Sequence, residues 1–181
     1  GVRVPEPFGC FDGVLLMELI TDENDDVAPR LSEVSMSEAQ AQEDHAQVMH
    51  YVMCMLSAGL VHGDLSEFNV LVDQDGPVII DLPQAVDAAA NNNAYAMLER
   101  DVKNMTDYYG LFAPELLDSH YAQEIWTLYE NGELHPDLKL TGHFDMPTES
   151  ADVDSVMLEI KAALAEEESR KERLREAEAE D

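Results

Sequence analysis

Positive charge is what this sequence has least of. Ten Lys and Arg stand against 39 Asp and Glu, a net charge of −29 in 181 residues. Only Arg3, Arg30, Arg100, Lys103 and Lys139 precede residue 152, and no two of them form a patch. Binding to a phosphate backbone needs clustered cations, so direct nucleic-acid binding by this chain is excluded, and an anionic membrane surface with it. Cysteine is nearly absent too. Cys10 and Cys54 form neither a C-x-x-C pair nor a disulfide framework, which suits a reducing, cytoplasmic setting. No apolar run approaches the roughly 18 residues of a membrane span, and no basic segment leads into an apolar one at the start. A starter methionine is missing as well. Gly1 runs straight into the strand-like Val2-Arg3-Val4-Pro5, which reads as a piece of a longer protein. What is present is a 45% hydrophobic composition, enough for one packed domain.

The pattern along the chain predicts an α+β fold that is mainly helical. Residues 1–20 read as two short strands turning at Phe11-Asp12-Gly13, the second an apolar run from Val14 to Ile20 of the kind buried on both faces. Residues 21–35 are acidic and aperiodic, hence a loop. Ser37 and Gln40 have capping-box spacing ahead of a helix that buries Ala41, Val48, Met49, Val52, Met53 and Leu56 and stops at Gly59. Val70–Val72 and Val78–Ile80 form a hairpin around Asp75-Gly76. A second helix follows Asn93 with Ala94, Leu98, Val102, Met105 and Tyr109 on one stripe. A third spans Tyr121 to Glu130, burying Ile125, Trp126 and Tyr129 ahead of an Asn131-Gly132 turn. A fourth starts near Asp152 and passes into an alternating-charge tail.

Chemistry concentrates in one loop and one strand end. Asp64 and Asn69 lie five apart between the first helix and the hairpin, and Asp81 follows the hairpin's second strand. A hairpin brings its two outer ends together, so Asn69 and Asp81 are expected as neighbours. Their oxygens suit a hard cation such as Mg²⁺ that takes its other ligands from phosphate and water. Asp64, set off from that point, suits the orientation of a hydroxyl or water for in-line attack on a phosphoryl group. His45 and His50 are five apart, off the i,i+4 spacing of a shared metal, and His62 reads as a hydrogen-bonding residue of the loop. No zinc site is expected.

His62-Gly63-Asp64-Leu65-Ser66-Glu67-Phe68-Asn69 with Ile79-Ile80-Asp81 resembles the carboxy-terminal lobe of RIO-type atypical serine/threonine protein kinases, nearest the Rio1-like bacterial members. Ser66 stands where ordinary protein kinases carry Lys, and Leu82-Pro83 where they carry Phe-Gly. Both departures fit the RIO pattern. The resemblance implies Asp64 as the catalytic Asp and Asn69 and Asp81 as Mg²⁺ ligands. It also implies an adenine hinge at Met17-Glu18-Leu19-Ile20, with Met17 behind the ring and the Glu18 carbonyl and Ile20 amide bonding its edge. ATP, Mg²⁺ and a protein substrate are the implied ligands, with ATPase behaviour as a variant and a ribosome-related partner by resemblance alone. Ala113-Pro114-Glu115 is similar to the motif that closes an ordinary activation segment, but the stripe from Asn93 to Tyr109 precedes it, so it reads as a helix start.

The implied organisation is the end of the amino-terminal-lobe strands and hinge in 1–20, a kinase-like lobe in 21–150, and a helix with charged tail in 151–181. No glycine-rich phosphate loop and no strand lysine match, since Lys103, Lys139, Lys161 and Lys171 all lie far past the hinge. Two other readings compete. Aminoglycoside- or choline-type phosphotransferases share the His-Gly-Asp-x4-Asn loop, but more often carry His-Pro-Gly where Ser66-Glu67-Phe68 stands. A non-catalytic acidic binding module is the third reading.

Overall fold

The computed structural model describes residues 1–144, so the expected helix from Asp152 lies outside the described residues. Three α-helices and three small antiparallel sheets make an α+β fold in this stretch. β1 (Pro7–Phe11) pairs with β2 (Val14–Met17). Helix α1 covers Glu38–Ser57, and β3 (Leu60–Val61) leads into the polar loop. β4 (Val70–Asp73) and β5 (Gly76–Ile79) form the expected hairpin, and β6 (Val86–Asp87) returns to pair with β3. Helices α2 (Ala94–Tyr109) and α3 (Tyr121–Glu130) complete the order. None of these helices is long and apolar enough to cross a membrane.

Helix α1 starts where Ser37 Oγ accepts from the Gln40 amide at 3.3 Å. The expected capping box is only half made. The Gln40 side chain turns away to donate to Asp44 Oδ1 at 2.8 Å, because Asp44 is buried and needs a donor more than the exposed cap does. The helix stops at Ser57, and Gly59 takes a left-handed φ of +80° that a side chain would resist. The α2 stripe of Ala94, Leu98, Val102, Met105 and Tyr109 is buried throughout and meets Val48, Val52 and Ile125 in one core. On α3 only Ile125 of the three expected residues is fully buried, and Trp126 and Tyr129 pack at its margin. Ala113-Pro114-Glu115 begins a short 3-10 helix, Pro114–Asp118, with proline in its first turn.

Two expectations are corrected. The run from Val14 to Ile20 is not a doubly buried strand: Val14, Leu15, Leu16, Met17 and Leu19 are about half or more exposed, and only Ile20 is buried. A two-stranded ribbon has no second layer of its own, so hydrophobic content alone does not bury it. The second hairpin strand also ends one residue early, at Ile79, and Asp81 sits in the left-handed region at φ 65°, ψ 49°. The segment 21–35 is mostly loop, yet it forms a 3-10 turn at Leu31–Glu33 that buries Leu31 completely.

Candidate functional site

The loop that follows β3 is shaped by its own backbone needs. Gly63 has φ +82°, and a Cβ there would lie 2.6 Å from Met97 Cε and 3.2 Å from the Gln84 carbonyl. The left-handed φ and the close Gln84 carbonyl favour glycine just before Asp64, whereas the Met97 methyl can move aside. Buried His62 bridges the two halves of the site. Its Nε2 lies 3.0 Å from the Ile80 carbonyl and its Nδ1 accepts from the Asp64 amide at 3.3 Å. A carbonyl only accepts and an amide only donates, so these partners specify the Nε2–H tautomer. His62 thus links the backbone of Asp64 to the residue before Asp81.

Asn69 closes the loop. Its Nδ2 donates to the Asp64 carbonyl at 2.8 Å and approaches Asp64 Oδ2 at 3.5 Å. The Ile80 amide donates to the Asn69 carbonyl at 3.0 Å, one step beyond the last Val70–Ile79 pair. The hairpin therefore brings Asn69 beside the Ile80–Asp81 backbone. Because the Asn69 side-chain nitrogen is engaged by Asp64, its side-chain Oδ1 is the atom left for a cation. Gln84 Nε2 reaches Asp64 Oδ2 at 3.4 Å, and Asp81 is exposed. No three His, Cys, Asp or Glu side chains gather around a point among the described residues. Asn69 Oδ1 and the Asp81 carboxylate are oxygen donors of the kind a hard cation takes alongside phosphate and water.

Helix α2 supplies supports that sequence reasoning missed. Asp101 is buried and accepts from the Gly63 amide at 2.7 Å and the Leu65 amide at 3.0 Å. Burial raises its pKa, opposed by those two amides and by the nearby His62 and Arg100. Asn104 Nδ2 donates to the Leu65 carbonyl at 3.0 Å, and the Arg100 guanidinium donates to the Gly63 carbonyl. The signal was present: Asp101 falls at i+3 from Leu98 and i−4 from Met105, a charge inside the apolar stripe.

The expected hinge residues lie apart from this loop in sequence but touch its strand. Ile20 packs with Ala28 and Val78, and Val78 belongs to β5, which runs toward Asp81. The Glu18 amide donates to the Glu6 carbonyl at 2.8 Å, and Glu18 Oε2 accepts from the Glu6 amide at 3.0 Å. Among the described residues neither the Glu18 carbonyl nor the Ile20 N–H has a hydrogen-bond partner, while Met17 is exposed.

Comparison with known proteins gives a consistent result. The family model of the RIO domain matches residues 1–122. The RIO-type serine/threonine-protein kinase Rio1 of Haloferax volcanii is 42% identical over 109 residues, which are 60% of this chain and 36% of that protein. Human serine/threonine-protein kinase RIO1 is 40% identical over 109 residues, covering 60% of this chain and 19% of that protein. The Rio1 protein of Thermoplasma acidophilum is 34% identical over 108 residues, 60% of this chain and 54% of the relative. The chain thus spans about a third to a half of the archaeal relatives and less of the human one.

Proposed function

The chain belongs to the RIO domain family, and on that footing we propose that it carries the hinge, catalytic loop and metal-binding end of an ATP- and Mg²⁺-dependent serine/threonine kinase site, with ATP hydrolysis as a second outcome. The family match favours this reading over an aminoglycoside- or choline-type phosphotransferase. The observation that carries it is the single hydrogen-bonded unit of Asp64, His62, Asn69 and Ile80 that ends at Asp81.

In this reading Asp64 receives or orients the proton of the attacking hydroxyl, and Asn69 holds the Asp64 backbone in place while turning its oxygen to the metal. Asp81, exposed and held in a left-handed conformation, presents its carboxylate to the same metal. The bound Mg²⁺ would supply charge neutralisation at the phosphates. The Glu18 carbonyl and Ile20 N–H accept and donate along one edge of adenine, with Met17 against the ring. The kinase-like lobe assignment, a protein substrate and a cytoplasmic setting belong to the same proposal.

Variants of the two acids test it, in a form of the protein that also carries a phosphate-covering loop and a strand lysine. Asp64→Asn is expected to lower kcat by roughly 100-fold to 10,000-fold with nucleotide affinity nearly intact. Asp81→Asn is expected to weaken Mg²⁺-dependent nucleotide binding as well as turnover. Near-normal turnover in Asp64→Asn, or equal loss of affinity in both, would overturn the assignment. The chain alone is expected to bind Mg²⁺-nucleotide weakly or not at all, because only part of the phosphate contacts is present and its net charge is −29. Calorimetry checks this.

A further inference from the structure

The segment ahead of β1 makes a contact that the functional reading does not use. The Arg3 guanidinium grips Asp73 with both forks, at 2.6 Å and 3.0 Å, and its Nη1 also approaches the Gly76 carbonyl at 3.3 Å. Asp73 and Gly76 close the β4–β5 turn, and the Asp73 side chain is 7% exposed. The Arg3 carbonyl accepts from the Ile79 amide at 2.9 Å, so this segment lies along the edge of β5 opposite β4. Three residues on, Glu6 exchanges two hydrogen bonds with Glu18. Arg3, Glu18, Ile20, Thr21 and Asp73 border one cleft of about 390 Å³.

These contacts form a continuous path from Glu18 through Glu6 and Arg3 to Ile79, two residues before Asp81. We propose that Arg3 is a positioning residue whose two-pronged grip on Asp73 sets the hinge segment in register with β5, the strand that leads to Asp81. The inference rests on the nucleotide reading above for its purpose, because a nucleotide must touch both ends at once. The coupling itself stands on the contacts. The hinge is otherwise held at its far end, where the Ala28 amide donates to the Ile20 carbonyl at 3.0 Å and Thr21 bridges to Val27. Ile20 is its one buried side chain, in a cluster of three residues, whereas Met17 and Leu19 are exposed. A planar fork on a carboxylate fixes direction as well as distance, which a lysine ammonium does not.

Amide hydrogen exchange on the full chain, without nucleotide, tests the coupling. Arg3→Ala and Asp73→Asn are each expected to speed exchange of both the Glu18 and Ile79 amides by about tenfold or more. The core amides of Val52 and Leu56 should not change. Asp73→Asn retains the oxygen that accepts from the Asp75 amide at 2.8 Å, so it separates the grip from the turn. Arg3→Lys, which keeps the charge and loses the fork, serves if Arg3→Ala does not fold. Faster exchange at Ile79 alone overturns the proposal, as does uniform acceleration across the core or no change at either amide. A parallel titration with millimolar Mg²⁺-ADP, in the form of the protein that also carries a phosphate-covering loop and a strand lysine and read at the Ile20 amide by NMR, separates the two claims. If that form, with Arg3 intact, gives no shift at Ile20, Asn69 or Asp81, the nucleotide reading fails and the exchange result still decides the coupling. If it does, Arg3→Ala should weaken the affinity several-fold, and an unchanged affinity removes the positioning role.

Discussion

Around Asp64 nearly every backbone turn is tied to a buried or half-buried side chain. Asp101 takes two amides, Asn104 and Arg100 each give to a carbonyl, and His62 spans to Ile80. The β1–β2 hairpin is the opposite case. Phe8, Phe11, Val14, Leu15, Leu16 and Met17 are all about half or more exposed, and the hairpin meets the rest of the described chain through Glu18, Ile20 and the segment behind Arg3. The difference teaches where rigidity comes from. The loop is polar but lies on a helix whose core it shares, so its Gly63, Asp64 and Leu65 backbone groups find fixed partners. The hairpin is apolar but has no layer to lie on.

The largest stability effect should come from removing Asp101. Asp101→Ala leaves the Gly63 and Leu65 amides without their acceptor, at about 1–3 kcal/mol for each buried donor. Urea denaturation measures the total, and faster exchange at those two amides locates it. A loss no larger than that of a hairpin variant would erase the contrast between the regions. Leu65→Ala sharpens the same contrast from the apolar side. Leu65 is fully buried beneath the loop, and its truncation should cost roughly 2–5 kcal/mol.

An effect of similar or slightly smaller size is expected from pH. His45 is fully buried, 2.9 Å from Thr106 Oγ1 and edge-on to the rings of Tyr109 and Tyr121. Burial lowers its pKa from 6.5 to about 4. Between those values the unfolded chain binds a proton that the folded one refuses, so stability is complete above pH 6.5 and falls as the pH drops toward 4. The shift corresponds to about 3 kcal/mol. Thermal melts of the wild type and His45→Gln across that window measure it, and the variant should show the shallower slope. At the small end, Leu16→Ala should move stability by no more than about 0.5 kcal/mol, because the side chain is already 54% exposed. A loss of several kcal/mol there would mean that the hairpin is as firmly built in as the loop.

Most of the secondary structure was legible because its signals are local. The stripe from Ala94 to Tyr109, Ser37 ahead of α1, Gly59 after it, and the paired strands around Asp73–Gly76 each need only neighbours in sequence. Less legible were features settled by distant partners. Gln40 had the spacing of a capping box and bonded Asp44 instead. Val14–Met17 had the composition of a core strand and lies exposed. The β3–β6 pairing of Leu60–Val61 with Val86–Asp87 is too short to carry a pattern.

The site divides along the same line. By itself the sequence determined the composition of the candidate chemistry: Asp64, Asn69 and Asp81 at loop and hairpin positions, in a chain with a net charge of −29. The local spacing of a five-residue step and a hairpin was enough for that. Only the tertiary structure decided what holds those groups. Asp101 reaches Gly63 from 38 positions away, Arg3 reaches Asp73 from 70 away, and His62 joins the two halves across 18. Such contacts have no local signature, because a side chain's partner across the fold depends on how helices and strands pack. Asp101 was the partial exception: a charge within an apolar stripe must find a buried donor, and the fold determines which one.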